Sequence, residues 1–137
     1  MGERMTNDMT AEEVVATMHI GELAEKSQMS LRTIRHYDEA GLLKPSGRTE
    51  GGFRLYTERD FARLLLIRRM KPLGFTLGQM ADLLRIIDTL ETAEPGAGTA
   101  AMRAELDGFV EDAAQRRAKL EEQIEMADEF ITLLRAQ

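Results

Sequence analysis

The chain has 137 residues, 43% of them hydrophobic and 31% charged, a length and balance that suit one ordinary globular domain and exclude a disordered segment. The absence of cysteine excludes disulfides, thiolate metal sites and iron–sulfur clusters, and the longest apolar run, Leu64-Leu65-Leu66-Ile67, is far shorter than the roughly 20 residues that cross a bilayer. The net charge of -6 divides unevenly: residues 1–18 carry net -3, residues 19–76 carry eleven Lys or Arg against seven acids, and residues 77–137 carry six against thirteen. A basic module able to meet nucleic acid is therefore joined to an acidic one.

Residues 1–17 have no strong period and read as a flexible leader, with Ala11 to Met18 able to add a turn of helix. The segment is acidic before its first apolar stretch, so no secretory signal is expected and the cytoplasm is the expected location. From Met18 the pattern sharpens: Ile20, Leu23 and Ala24 fall at helical spacing, and polar residues around Lys26 to Gln28 close that short helix. Ser30 is a good N-cap for a second helix, because its hydroxyl can accept from an unpaired amide of the first turn. Leu31, Ile34 and Leu42 are expected to face inward with Tyr37 in part, and Gly41 ends the helix in a left-handed conformation. Two short helices with a tight break between them make a helix-turn-helix.

Lys44-Pro45 then opens an extended segment, Ser46 to Gly52 holds three glycines among polar residues, and Phe53-Arg54-Leu55-Tyr56 alternates as a strand does, which together predict a hairpin or wing. Thr57, followed by acids, caps a third helix with Phe61, Leu64, Leu65, Ile67 and Met70 as its buried side, stopped by Pro72 and Gly74. Thr76 caps a fourth, with Met80, Leu83, Leu84 and Ile87 apolar and Gly78 weakening it slightly.

Residues 92–99, TAEPGAGT, are the clearest linker. Beyond it Leu106, Ala113, Leu120, Ala127 and Leu134 repeat every seven residues, with Val110, Arg117, Ile124 and Ile131 four places after the first four, which is a coiled-coil seam. One helix from about Ala100 to Arg135 would be about 50 Å long at 1.5 Å per residue. Such a seam asks for a partner, most simply the same helix of a second chain. The expected fold class is mainly α: a winged helix-turn-helix DNA-binding domain followed by a long C-terminal coiled-coil dimerisation helix. The expected divisions are a leader at 1–17, the DNA-binding domain at 18–90, a linker at 91–100 and the dimerisation helix at 101–136.

Duplex DNA requires cations for phosphate and shaped donors for base edges. The second helix offers Arg32, Thr33, Arg35, His36 and Tyr37; the ring of Tyr37 fits a groove, a phosphate or the core equally well. In the wing, Lys44, Arg48 and Arg54 flank a glycine-rich loop that can approach a phosphate closely.

Residues 19–88 resemble the DNA-binding domain of the MerR family of bacterial transcription regulators. The resemblance rests on HIGELAEKSQMSLRTIRHYDEAGLLKP, then Arg48, then GGFRLYTERD and LGFTLGQM, in order and nearly without gaps. It implies that Ser30, Arg32, Thr33, Arg35 and Tyr37 of the second helix, and Arg48, Arg54 and Tyr56 of the wing, stand where members of the family touch bases or backbone. It also implies an antiparallel coiled-coil homodimer, bound to a palindrome in double-stranded promoter DNA whose spacer is too long for productive contact by bacterial RNA polymerase. An activating signal then bends and untwists that spacer.

Such work needs no catalytic residue, cofactor or metal, and His19 and His36 lie in different elements without an evident acid partner, so no enzyme is expected. A protein that recruits a partner through its coiled coil, tethered to DNA by its first half, is the rival reading. Metal- and redox-sensing members of the family use cysteines near the end of the coiled coil, and drug-sensing members carry a large domain beyond it, whereas this sequence has no cysteine and stops at Gln137. Neither input is expected. An effector of unidentified chemistry would need a pocket within residues 74–137, such as one beside Met80, Leu84, Ile87, Met102 and Phe109. An oxygen-only metal site among Glu121, Glu122, Glu125 and Asp128 is the weaker option, since acids so spaced form solvated helix faces.

Overall fold

A computed structural model describes residues 16–137, which divide after Met70 into two compact units. The expected leader lies outside the described residues except at its end, where Thr17 and Met18 are extended rather than helical.

The first unit begins with strand β1 (Thr17–His19) and helix α1 (Ile20–Ser27), then helix α2 (Leu31–Glu39), strands β2 (Gly47–Arg48) and β3 (Arg54–Thr57), and helix α3 (Glu58–Met70). The strands form one antiparallel sheet in the order β1-β3-β2, with Met18 opposite Tyr56 and Arg48 opposite Arg54. Strand β1 was not foreseen: three residues hold no periodic signal, and β3 supplies the pairing.

Gln28 ends α1 in the left-handed region at φ 58, and its N–H reaches back to the last turn. Two residues on, Ser30 caps α2 as expected, accepting from the Thr33 amide at 3.0 Å. Gly41, at φ +81, turns the chain away after α2 and lets Leu42 and Leu43 drop into the core. That core also takes Met18, Leu23, Ile34, Tyr37, Tyr56, Leu64, Ile67 and Met70. Leu31, expected inside, is instead exposed on the first turn of α2. Along α3 the buried side is Leu64, Ile67 and Met70, while Phe61 and Leu65 are only half-buried.

The second unit opens with a 3-10 turn, Lys71–Leu73, followed by helix α4 (Leu77–Thr92) and helix α5 (Ala100–Arg135). A complete capping box starts α4: Thr76 accepts from the Gln79 amide, and the Gln79 side chain accepts from the Thr76 amide. Its buried residues are Met80, Leu83, Leu84 and Ile86, so Ile86 takes the place expected for Ile87. Helix α5 spans the range read from its heptads and has no fully buried residue. Apart from Asp112, its half-buried positions, Met102, Leu106, Phe109, Ala113 and Arg116, recur at alternating steps of four and three on the helix that packs against α4 and the 3-10 turn. The expected seam is thus partly covered within the chain at Leu106 and Ala113.

Candidate nucleic-acid interface

On α2 the pattern of the sequence sorts side chains cleanly. Ile34 and Tyr37 are one turn apart on the buried side, which leaves Arg32, Arg35 and His36 on exposed positions. Neither Arg32 nor Arg35 enters an ion pair or side-chain hydrogen bond among the described residues, so both guanidinium forks are available to an incoming acceptor. Ser30 and Thr33 are bound to each other, the Ser30 hydroxyl donating to Thr33 Oγ1 at 2.8 Å, so the capped first turn is held as one piece.

The wing is short and closed by its own polar groups. Thr49 donates its amide to the Phe53 carbonyl at 2.9 Å, Gly52 donates to the Thr49 carbonyl at 2.9 Å, and the Phe53 amide donates to Thr49 Oγ1 at 3.1 Å. Gly52 sits at φ +85, a conformation that a side chain would strain. Arg48 donates from Nη1 to the Gly52 carbonyl at 2.9 Å, which fixes its exposed guanidinium beside the tip. Lys44 is exposed where the chain enters the wing.

Arg54 is placed differently from Arg48. Its Nε lies 2.7 Å from Asp38 Oδ2, an ion pair that joins β3 to the last turn of α2, with the Arg54 side chain 28% exposed and that of Asp38 14%. The Nε is enclosed and makes no hydrogen bond among the described residues, so the contact with the carboxylate is an ion pair.

Two expected contact residues are corrected. Tyr56 is 0% exposed and Tyr37 only 2%, so both rings belong to the core. Burial raises the pKa of each phenol; at Tyr56 the carboxylates of Asp38 and Asp60 raise it further, against the lowering effect of Arg54 and Arg48. The hydroxyl of Tyr56 is enclosed without a hydrogen-bond partner among the described residues and cannot touch DNA in this conformation. Phe53, by contrast, is 68% exposed at the wing tip, an aromatic set directly after two glycines.

Beneath the wing, Asp60 is buried and hydrogen-bonded through Oδ2. It accepts from the Ser46 hydroxyl at 2.6 Å and the Thr57 amide at 2.8 Å, tying the start of the wing to the first turn of α3. Arg68 is likewise committed, donating to the Ser27 carbonyl at 2.9 Å and so bracing the end of α1.

The model of the MerR HTH family of regulatory proteins matches residues 18–86, half of the chain. The chain belongs to the MerR family. It is 45% identical over 69 residues to the mercuric resistance operon regulatory protein of Bacillus cereus, a match that covers 50% of this chain and 52% of that protein. It is 34% identical over 110 residues to an uncharacterized HTH-type transcriptional regulator of Pseudomonas aeruginosa, covering 79% of this chain and 83% of the relative. The solved structure of HiNmlR, a MerR family regulator lacking the sensor domain, bound to promoter DNA, shares the fold: the TM-score is 0.66 at 24% identity, over 85% of this chain and 89% of that one. The MerR-family assignment makes this chain a DNA-binding transcription regulator built on a winged helix-turn-helix.

The second unit carries the other expected residues. Arg116 makes three contacts at once: the guanidinium lies 4.0 Å from the centre of the Phe75 ring, pairs with Asp112 at 2.7 Å and donates to the Leu73 carbonyl at 2.9 Å. Gly74, at φ +87, leaves room for it, since an added Cβ would lie 3.4 Å from Arg116 Nη1. Of the expected seam, Val110, Leu120, Ile124, Ile131 and Leu134 are exposed, as are Ala127 and Arg117, and Arg117 pairs with Glu121 one turn on. Met126, Phe130 and Leu133 are exposed too and widen the apolar surface of the last turns beyond a two-position seam.

The residues around which an effector pocket could have formed are packed together. Met80 and Leu84 are buried and Ile87, Met102 and Phe109 half-buried, so these side chains fill the space between α4 and α5 rather than line a cavity. The open groove of ≈ 320 Å³ nearby is bordered by polar residues such as Gln79, Asp82 and Glu105, and shares only Phe109 with the expected set. Glu121, Glu122, Glu125 and Asp128 are exposed along α5, and no group of three or more His, Cys, Asp or Glu among the described residues could hold a metal ion.

Proposed function

We propose that this MerR-family chain acts as a homodimer that binds a palindrome in promoter DNA and bends or untwists the spacer to control transcription by RNA polymerase. The observation that carries the reading is the exposed side of α2, where Arg32 and Arg35 stand uncommitted on a helix whose opposite side is buried, in the same unit as the cation-bearing wing. A capped helix with two guanidinium forks fits the major groove, where Arg is the commonest reader of guanine, and the wing's Arg48, Arg54 and Lys44 suit phosphate. Ser30, Thr33 and His36 complete the set along α2; Tyr37 and Tyr56 contribute by holding α2 and β3 in place.

The apolar stripe of α5 supports self-association: from Leu120 onward it is open, and a homodimer would cover it with the same stripe of a second copy. In this reading 18–90 is the DNA-binding domain, 91–100 a linker and 101–136 the dimerisation helix, after a leader at 1–17. No helix among the described residues is long and apolar enough to cross a membrane, and we place the protein in the cytoplasm, with no enzymatic role.

The test is selection of duplexes from a random-sequence pool by the full chain, followed by footprinting on the selected duplex. A palindromic footprint is expected, and Arg35→Ala should lose about 1–3 kcal/mol of binding at one symmetric pair of base positions. Uniform coverage of unrelated duplexes would overturn the reading.

A further inference from the structure

Arg54 cannot be understood from its own strand. Period two along β3 puts Arg54 and Tyr56 on one face, and that face is the inner one: Tyr56 is fully buried, and Arg54 Nε is enclosed beside Asp38. The guanidinium therefore leaves the core past a carboxylate of α2, and the exposed part of the side chain lies beyond that contact. An acid in this place is unexpected in a surface meant for phosphate. A carboxylate near DNA repels it, so a bystander would weaken binding at no gain.

We infer that Asp38 is a positioning residue for DNA binding: its carboxylate holds Arg54 Nε and thereby aims the remaining amines of the guanidinium outward from the junction of α2 and the wing. The inference rests on the reading of Arg54 as a DNA contact. An arginine has five N–H donors in a rigid planar fork, so holding Nε against a carboxylate restricts where both terminal amines can lie. Without the acid, the side chain has several free rotors and an enclosed charged group without a partner. The same pair also spans two elements, so the wing strand is registered to the helix that it accompanies.

The consequence has an unusual sign. Replacing an acid beside a DNA-binding surface should raise affinity if the acid is a bystander and lower it if the acid positions a cation. The experiment measures affinity and its salt dependence for the full chain on the duplex it selects from a random pool, comparing wild type, Asp38→Asn, Asp38→Ala, Arg54→Ala and the double variant Asp38→Ala with Arg54→Ala. Arg54→Ala should weaken binding about tenfold and reduce the salt slope by about 0.9, the loss of one phosphate contact. Asp38→Ala should do nearly the same, and the double variant should be no worse than Arg54→Ala alone. Asp38→Asn keeps the size of the side chain but removes its charge and with it the ion pair, so it should weaken binding as Asp38→Ala does, and it carries the test if Asp38→Ala does not fold.

Tighter binding by Asp38→Asn than by wild type, with Arg54→Ala weak, would overturn the inference while leaving Arg54 a contact. Arg54→Ala binding like wild type, with the same slope, would overturn both.

Discussion

Tyr56→Phe should make the protein more stable. The hydroxyl of Tyr56 is enclosed and has no hydrogen-bond partner among the described residues, whereas in the unfolded chain water satisfies it. Leaving such a group unpaired costs about 1–3 kcal/mol, and phenylalanine keeps the ring without that cost. The surrounding packing is unchanged by the loss of one oxygen, so the gain should approach the same 1–3 kcal/mol, or a rise in Tm of about 4–8 °C per kcal/mol for a unit of this size. Urea denaturation of both proteins at neutral pH, followed by far-ultraviolet circular dichroism, should give a higher midpoint for the variant at the same slope.

Alkali supplies a second arm. Burial, then Asp38, raises the pKa of this phenol above the ordinary 10.0, so the folded state holds the proton more tightly than the unfolded one. Stability from this source is complete below pH 10 and lost as pH rises toward the folded value. The variant lacks the group, so its advantage should widen above pH 10. A midpoint lower than that of wild type at neutral pH would refute the reasoning, because it would mean that the hydroxyl is bonded, through water or otherwise.

Arg116→Ala should lower stability by about 2 kcal/mol in thermal denaturation, since it removes at once the stacking on Phe75, the pair with Asp112 and the bond to Leu73. Arg116→Lys should recover little, because an ammonium cannot keep the planar contact and the two directed bonds together. Ile124→Asp with Ile131→Asp should halve the solution mass measured by light scattering and weaken binding to a palindromic duplex far more than to a single half-site. A mass unaltered by both charges would remove α5 from the dimer interface.

The sequence was most legible where structure is set by near neighbours. Ser30 and Thr76 cap their helices through amides three residues on, Gly41 terminates α2 by its own backbone freedom, and the heptads of α5 give its span. It was least legible where a residue's place depends on something distant. Strand β1 exists because β3 offers it a partner, and Leu106 and Ala113 are half-covered because α4 reaches the same stripe that a second chain could use. The wing joins both cases. Alternation along Phe53-Arg54-Leu55-Tyr56 correctly implies two faces but not which is inner, and an arginine invites the choice of solvent. The inner face can accept Arg54 only because Asp38 arrives from α2, and Phe53 is then turned outward on the opposite face. An acid that looks out of place in a basic segment is thus what makes the wing's cation compatible with its buried neighbour. The charge pattern of such a surface should accordingly be read in pairs across elements, since a count along the chain assigns Asp38 the wrong sign of effect.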